Sequence, residues 1–412
     1  MKNLRITLIF GMSAALGQAQ ALDLMADYQK ASNYDPAFQA ALADFKSSQA
    51  SVMQAYTAYA PTGSINNSRL QTDATSRTTF TVSQPLLNYE ALAMFRQAEP
   101  RKGYASANFV LKQQDLAVRL LKGANAIILA NENIKLNTAK SKALEQQYLA
   151  AKRKLELGQG TVTDLRDIEV KAAQAKSAQI SYRNQLETAA KQYAAITGER
   201  PVLSEFVLPP KHVSYALKPT EDYVDLALQN NPAILAAKFG QKVAELEVDK
   251  ATGAFYPTVA VTYSNSKSAT TENKYTAFVV NLPLNAGSYF ARLGALSALD
   301  KAKENRRDTE EKARVEVDKL RAQIDTAAEG LDIQLDAIKA AELSVEANAK
   351  SYEGGVRSAV DVLNAMQTVF QVKSEYVSAV ASQTENLLML MNLSNANPNE
   401  SLETAYKYLF AR

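Results

Sequence analysis

The sequence predicts a mainly α protein with a small β part. Three observations point there. Gly and Pro number only 15 and 12 in 412 residues, while Ala, Leu, Gln, Lys and Glu dominate, a balance that favours long helices. Apolar residues recur every seven positions in two separate stretches. Two segments rich in Thr, Ser, Asn and Tyr, each bracketed by prolines, interrupt the helical pattern, and each has room for two strands around a polar turn.

The elements follow in chain order. MKNLRITLIFGMSAALGQAQA, residues 1–21, has the three parts of a secretory signal peptide: Lys2 and Arg5, then apolar Ile6 to Leu16, then the small-x-small site Ala19-Gln20-Ala21. It is too short for a membrane helix. The mature chain is expected to start near Leu22, without a lipidated cysteine. No later stretch supplies the roughly 18 apolar residues of a spanning helix, so an exported chain has either no membrane segment or β-strands.

The first half, residues 22–198, reads as a helical stretch from Leu22 to Ala60, a hairpin at 61–85, a long helix from Asn88 to Leu157 and a shorter one from Thr161 to Thr197. Residues 199–220 are proline-rich and read as a linker outside the helices. The second half, residues 221–394, repeats the pattern. It has a helical stretch from Glu221 to Phe255, a hairpin at 257–283, a long helix from Ala286 to Glu353 and a shorter one from Ser358 to Ser394. In its hairpin Val259, Val261 and Tyr263 alternate with polar or small residues, as do Phe278, Val280 and Leu282. The first hairpin is much more polar. Residues 395–412 form a peripheral tail with a short last helix.

The halves are a duplication. Asp35-Pro36-Ala37 corresponds to Asn231-Pro232-Ala233, and LGQGTVTDL (Leu157 to Leu165) to GGVRSAVDV (Gly354 to Val362), at an offset of 196 or 197. Val317, Ile324, Leu331, Ile338, Val345 and Tyr352 form a seven-residue stripe; its image in the first half is Leu120, Ile127, Ile134, Ser141, Tyr148 and Leu155. A strict seven-residue period imposes a left-handed supercoil, so these are coiled-coil helices of about 100 Å. Each long helix has the length of two short ones laid end to end. Four strands per chain cannot close a membrane barrel, for which about eight is the minimum. Three chains would supply twelve, so the sequence points to an oligomer with rotational symmetry.

Composition excludes several classes. A net charge of +3 without basic blocks leaves no electrostatic footprint for nucleic acid. With no cysteine and a single histidine, His212, there is neither a thiol site, nor a triad, nor a histidine-rich metal site. No cofactor, no metal and no enzymatic activity are expected, and an exported hydrolase finds no motif.

The two tips, LGQGTVTDLRDIEVKAAQA and YEGGVRSAVDVLNAMQTVF, carry the sharpest local signals. Gly158 and the Gly354-Gly355 pair suit helix C-terminal turns, because glycine accepts φ > 0. Thr161 and Ser358 suit the next N-cap, with Asp164 and Asp361 three residues on. Arg357 has no capping role; its planar guanidinium suits a bidentate link to Asp164 on a neighbouring helix.

With its signal peptide, duplicated heptad helices, two hairpins and these tips, the mature chain resembles the TolC family of outer-membrane channels. The resemblance implies a long coiled-coil α-helical barrel plus a β-barrel completed by a homotrimer. It implies a location in the outer membrane of a Gram-negative cell, extending into the periplasm. The partners implied are outer-membrane lipid, a periplasmic adaptor and an inner-membrane ABC or proton-driven transporter, in type I secretion or efflux. The family's gate falls on Tyr352 and Arg357, on Thr163 and Asp164, and on Asp361. The turns at Gly158, Gly160, Gly354 and Gly355 are then where partners engage. Asn364 stands where the resemblance expects a second aspartate, and Val380 where it expects an arginine, which implies fewer closing links. A rival reading keeps the hairpins in water and makes the chain a soluble periplasmic coiled-coil scaffold or adaptor.

Overall fold

The computed structural model describes residues 22–69, 76–158, 160–208, 217–283, 285–395 and 397–410. The expected signal peptide and His212 lie outside them. The first half runs α1 (Leu24–Tyr34), α2 (Pro36–Tyr56), β1 (Thr62–Arg69), β2 (Ser76–Leu87), α3 (Tyr89–Glu156) and α4 (Val162–Thr197). The second runs α5 (Thr220–Asn230), α6 (Pro232–Gly253), β3 (Thr258–Lys267), β4 (Glu272–Asn281), α7 (Gly287–Glu353) and α8 (Ala359–Ser394), and α9 (Pro398–Phe410) follows. No described helix is long and apolar enough to cross a membrane.

The stretch expected as one helix from Leu22 to Ala60 is two. Pro36 has no N–H to donate back into a helix and pushes the residue before it out of the α region. Asp35 accordingly has ψ 117° and caps α2 by accepting the Phe38 N–H. The second half breaks in the same way at Asn231-Pro232, with Asn231 accepting from the N–H groups of Ala233 and Ile234. Asp35 is 3% exposed, and the Arg119 guanidinium of α3 forks onto it with contacts of 3.2 and 2.6 Å. Burial pushes the Asp35 carboxyl up, but the hydrogen bonds from Arg119 and Phe38 and the Arg119 charge outweigh it and hold it below its ordinary value.

The 68 residues of α3 make a rod of about 100 Å. It lies between α2 and α4 on one side and α6 and α8 on the other; α7 packs on the far side of α5, α6 and α8. Within one chain the helices therefore form a single curved layer with α7 at one margin and α2 with α4 at the other. The heptad stripe faces the interior of this layer. Leu120, Ile127, Val317, Ile324 and Leu331 are all 5% exposed or less. At about 25 cal/mol per Å², burying one such leucine or isoleucine contributes about 1.5–3 kcal/mol.

All four strands join one antiparallel sheet in the order β1-β2-β3-β4. The prolines read as bracketing the first hairpin do not both bound it, because β2 continues past Pro85 to Leu87. Pro85 is tolerated because β1 has already ended at the Thr62↔Ser83 pair, and a bulge between Pro85 and Leu87 absorbs the irregularity.

Candidate functional site

The sheet and the helical tips lie at opposite ends of the rod, and each has the chemistry of a working surface. Register decides the sheet. Val259, Val261 and Tyr263 of β3 stand opposite Val280, Phe278 and Thr276 of β4. On the other flank Leu87 and Val82 of β2 stand opposite Val259 and Tyr263. Ile65 of β1 pairs with Phe80. Side chains alternate faces along a strand, so all these residues share one face. Ile65, Phe278 and Val280 are 72%, 75% and 67% exposed there. The opposite face is mostly hydroxyls and amides, Ser64, Asn66, Thr79, Thr81, Ser83, Thr262 and Ser264, with Ala260, Ala277 and Val279 among them toward β4. Cross-strand hydroxyl contacts of 3.1 Å (Thr79 to Ser266) and 3.2 Å (Ser83 to Thr262) tie it together.

One apolar face and one polar face is the pattern of a barrel between lipid and water. Sequence reasoning missed the contribution of the first hairpin. Ile65, Phe80 and Val82 are too sparse to read alone; they form a continuous apolar face only when β2 lies against β3. Where strands meet helices, the rings of exposed Tyr89 and Tyr256 pack tilted by 35° with centroids 4.6 Å apart, and Tyr289 and Phe290 lie edge to face at 5.5 Å. Amphipathic rings at that level suit a membrane–water boundary.

At the tips the chain reverses twice. Gly158 and Gly355 have φ of 72° and 76°, the left-handed region that favours glycine. Gly354 differs from expectation: its φ is −78°, so only one of the glycine pair supplies the turn. Thr161 accepts the Asp164 N–H at 3.0 Å. Ser358 and Asp361 form a reciprocal capping box, Ser358 N–H to Asp361 Oδ2 at 3.0 Å and Asp361 N–H to Ser358 Oγ at 3.3 Å. The backbone and hydroxyl hydrogen bonds from Ser358 hold the Asp361 carboxyl below its ordinary value, and the Arg357 charge adds to this.

Within one chain the expected gate residues make separate contacts, and Arg357 and Asp164 do not form the expected link. Tyr352 is 8% exposed and packs with Leu144 and Ala151 of α3, Ile168 of α4 and Val362 and Leu363 of α8. Burial raises the pKa of its hydroxyl, and the charge of Asp164 raises it further. Thr163 is exposed beside Asp164. Arg357, exposed, lies 3.9 Å from Asp361 in its own chain. Gly160 packs on the backbone at Leu155, 3.0 Å from where its Cβ would stand. Val380 is 4% exposed in the central core, so an apolar residue there is set by packing, and Asn364 is exposed. Lys154 was not singled out from the sequence, where it is one of many lysines. Its ammonium sits 3.8 Å from the Tyr352 ring centroid.

Comparisons with known proteins agree with this geometry. The outer membrane efflux protein family model matches residues 28–199 and 223–396. Alkaline protease secretion protein AprF of Pseudomonas aeruginosa is 25% identical, over 91% of this chain and 85% of its own. Proteases secretion protein PrtF of Dickeya chrysanthemi is 27% identical, over 72% and 68%. The crystal structure of the outer membrane protein VceC of Vibrio cholerae shares the fold, with a TM-score of 0.76 at 16% identity, covering 90% of this chain and 96% of that one. The soluble scaffold or adaptor considered from the sequence is therefore set aside. Its support was the polarity of the first hairpin, whose apolar residues instead complete a continuous exposed face. Since the family match takes in most of both halves, the chain belongs to the outer membrane efflux protein family.

Proposed function

We propose that this outer-membrane channel protein works as a homotrimeric exit duct, closed at its helical tips until partner proteins engage them. One observation carries the reading: the protomer is unfinished on matching margins at both ends. In the sheet, β1 and β4 each pair on one side only. β1 follows α2 and β4 leads into α7, and these helices are the margins of the helical layer. Three copies related by rotation pair every strand edge in a barrel of twelve, above the minimum of about eight. The same rotation brings the α7 margin, where Val315, Ile333 and Leu343 are exposed, toward the α2 and α4 margin of the next copy, where Met53 and Ile180 are exposed; all five are 60% exposed or more in the single chain.

Type I protein secretion is the favoured role, supported by the protease-secretion names of AprF and PrtF. In that role an inner-membrane ABC transporter and a periplasmic adaptor supply the energy and the docking; a proton-driven pump is the efflux counterpart. The gate consists of Tyr352, Asp361, Thr163 and Asp164 with Arg357, which reaches Asp164 of the next protomer. The turns at Gly158, Gly160, Gly354 and Gly355 meet the adaptor.

Assembly in detergent and conductance in planar bilayers test the reading. A stable trimer of low resting conductance is expected, and Arg357→Ser combined with Tyr352→Phe raises that conductance. A stable monomer that never inserts would overturn it.

A further inference from the structure

We infer that Lys154 is a positioning residue of the gate, a latch from the tip of α3 that holds the end of α7 in the closed arrangement. The inference rests on the gate reading above.

One ammonium makes two contacts with one residue of the other repeat. Lys154 Nζ donates to the Tyr352 carbonyl at 2.9 Å and sits 3.8 Å from the centroid of its ring. That carbonyl lies in the last turn of α7, where the helix dipole is negative and a cation is favoured. It also accepts the Gly355 N–H at 3.1 Å, so the lysine ties down the turn as well as the helix end. The ring cannot swing aside freely, because Tyr352 is packed among Leu144, Ala151, Val362 and Leu363.

The position of Lys154 is itself fixed. The Cβ that an alanine would add at Gly160 falls 3.0 Å from Leu155 N and 3.1 Å from Lys154 Cβ. Only glycine lets the tip loop close this tightly on the residue that carries the latch.

The pair has no second copy in the duplication. Shifting by the repeat, Lys154 maps onto Ser351 and Tyr352 onto Leu155, which have neither the cation nor the ring. Each protomer therefore has one latch, directed from the first repeat to the second. Arg357 and Asp361 are within one helix end, so in the single chain their pairing moves with α8 and does not resist separation of the two hairpins. Lys154 is bonded across the line along which they separate.

The test uses the full-length trimer in planar bilayers. Lys154→Met keeps the aliphatic stem and removes the charge; Lys154→Arg keeps both the donor and the cation. A cation–π contact of this kind biases an equilibrium by roughly 5-fold per tip. Lys154→Met is expected to raise the open probability of the trimer by at least that factor with an unchanged melting temperature, and Lys154→Arg to restore it. If Arg357→Ser opens the channel and Lys154→Met does not, the latch is wrong and the gate stands. If neither variant opens it, both readings fall. If Lys154→Met opens the channel only along with a lowered melting temperature, the residue is merely structural and the latch is overturned.

Discussion

Replacing Phe278 and Val279 one at a time by arginine separates a lipid-facing sheet from a water-facing one. The two residues are neighbours on β4, 75% and 46% exposed in the single chain, and they point to opposite faces. On the apolar face the band runs from Leu282, just beyond β4, up to Lys274, which is level with Asn265 and Phe80. Eight residues at ~3.3 Å span about 26 Å, and a strand tilt of ~40° reduces this to about 20 Å of height, close to a hydrocarbon band. Phe278 is halfway along, at the bilayer midplane. An arginine there costs ~2–4 kcal/mol in each protomer, whereas an arginine on the lumen face at position 279 meets water. The assay is urea unfolding of trimers folded into phospholipid vesicles, read by heat-modifiable mobility. Phe278→Arg should fold poorly or lose several kcal/mol in total; Val279→Arg should stay within about 1 kcal/mol of the parent. Equal behaviour of the two variants would refute the assignment of faces, since a hairpin in water tolerates both.

Three further outcomes are expected. Asp35→Asn removes the buried charge onto which Arg119 forks and leaves the guanidinium only its 3.0 Å contact with the exposed Asp115; it should destabilise the protein by about 2 kcal/mol in chemical denaturation. Because the folded pKa of Asp35 lies below its ordinary 3.8, its contribution is fully present above that value and disappears as pH falls through the folded pKa; the parent's melting temperature should therefore drop over that acid range more steeply than the variant's. Gly355→Ala forces a Cβ into φ 76° at a cost of about 1 kcal/mol and should speed hydrogen exchange at the tip, while Gly354→Ala, at φ −78°, should be neutral. Ile333→Asp, at a side chain 69% exposed in one chain, should leave the helix content unchanged and block trimer assembly in light scattering, whereas Leu331→Ala, 1% exposed, should cost about 2–5 kcal/mol of stability.

What the sequence determined by itself is what a few neighbouring residues encode. The helical pattern between the proline-bracketed segments and the tip glycines gave the long helices to within a residue at each end, and the seven-residue stripe within them marked the buried face. Thr161 and Ser358 with their aspartates marked the helix starts, because a cap is a contact over three residues. Gly158 marked a turn for the same local reason. The pair at Gly354-Gly355 was legible as a turn, but which glycine takes positive φ depends on where α7 makes its last hydrogen bond.

The tertiary structure alone decided the contacts that join distant segments. Asp35 meets Arg119 across 84 residues, and Lys154 meets Tyr352 across 198. No period or spacing links such residues; they touch only because the duplicated hairpins lie side by side. The apolar character of the first β-hairpin was hidden for a similar reason. Ile65, Phe80 and Val82 are scattered among serines and asparagines along the chain; the β1–β2 register sets them on one face, and pairing β2 against β3 joins that face to the apolar residues of the second hairpin.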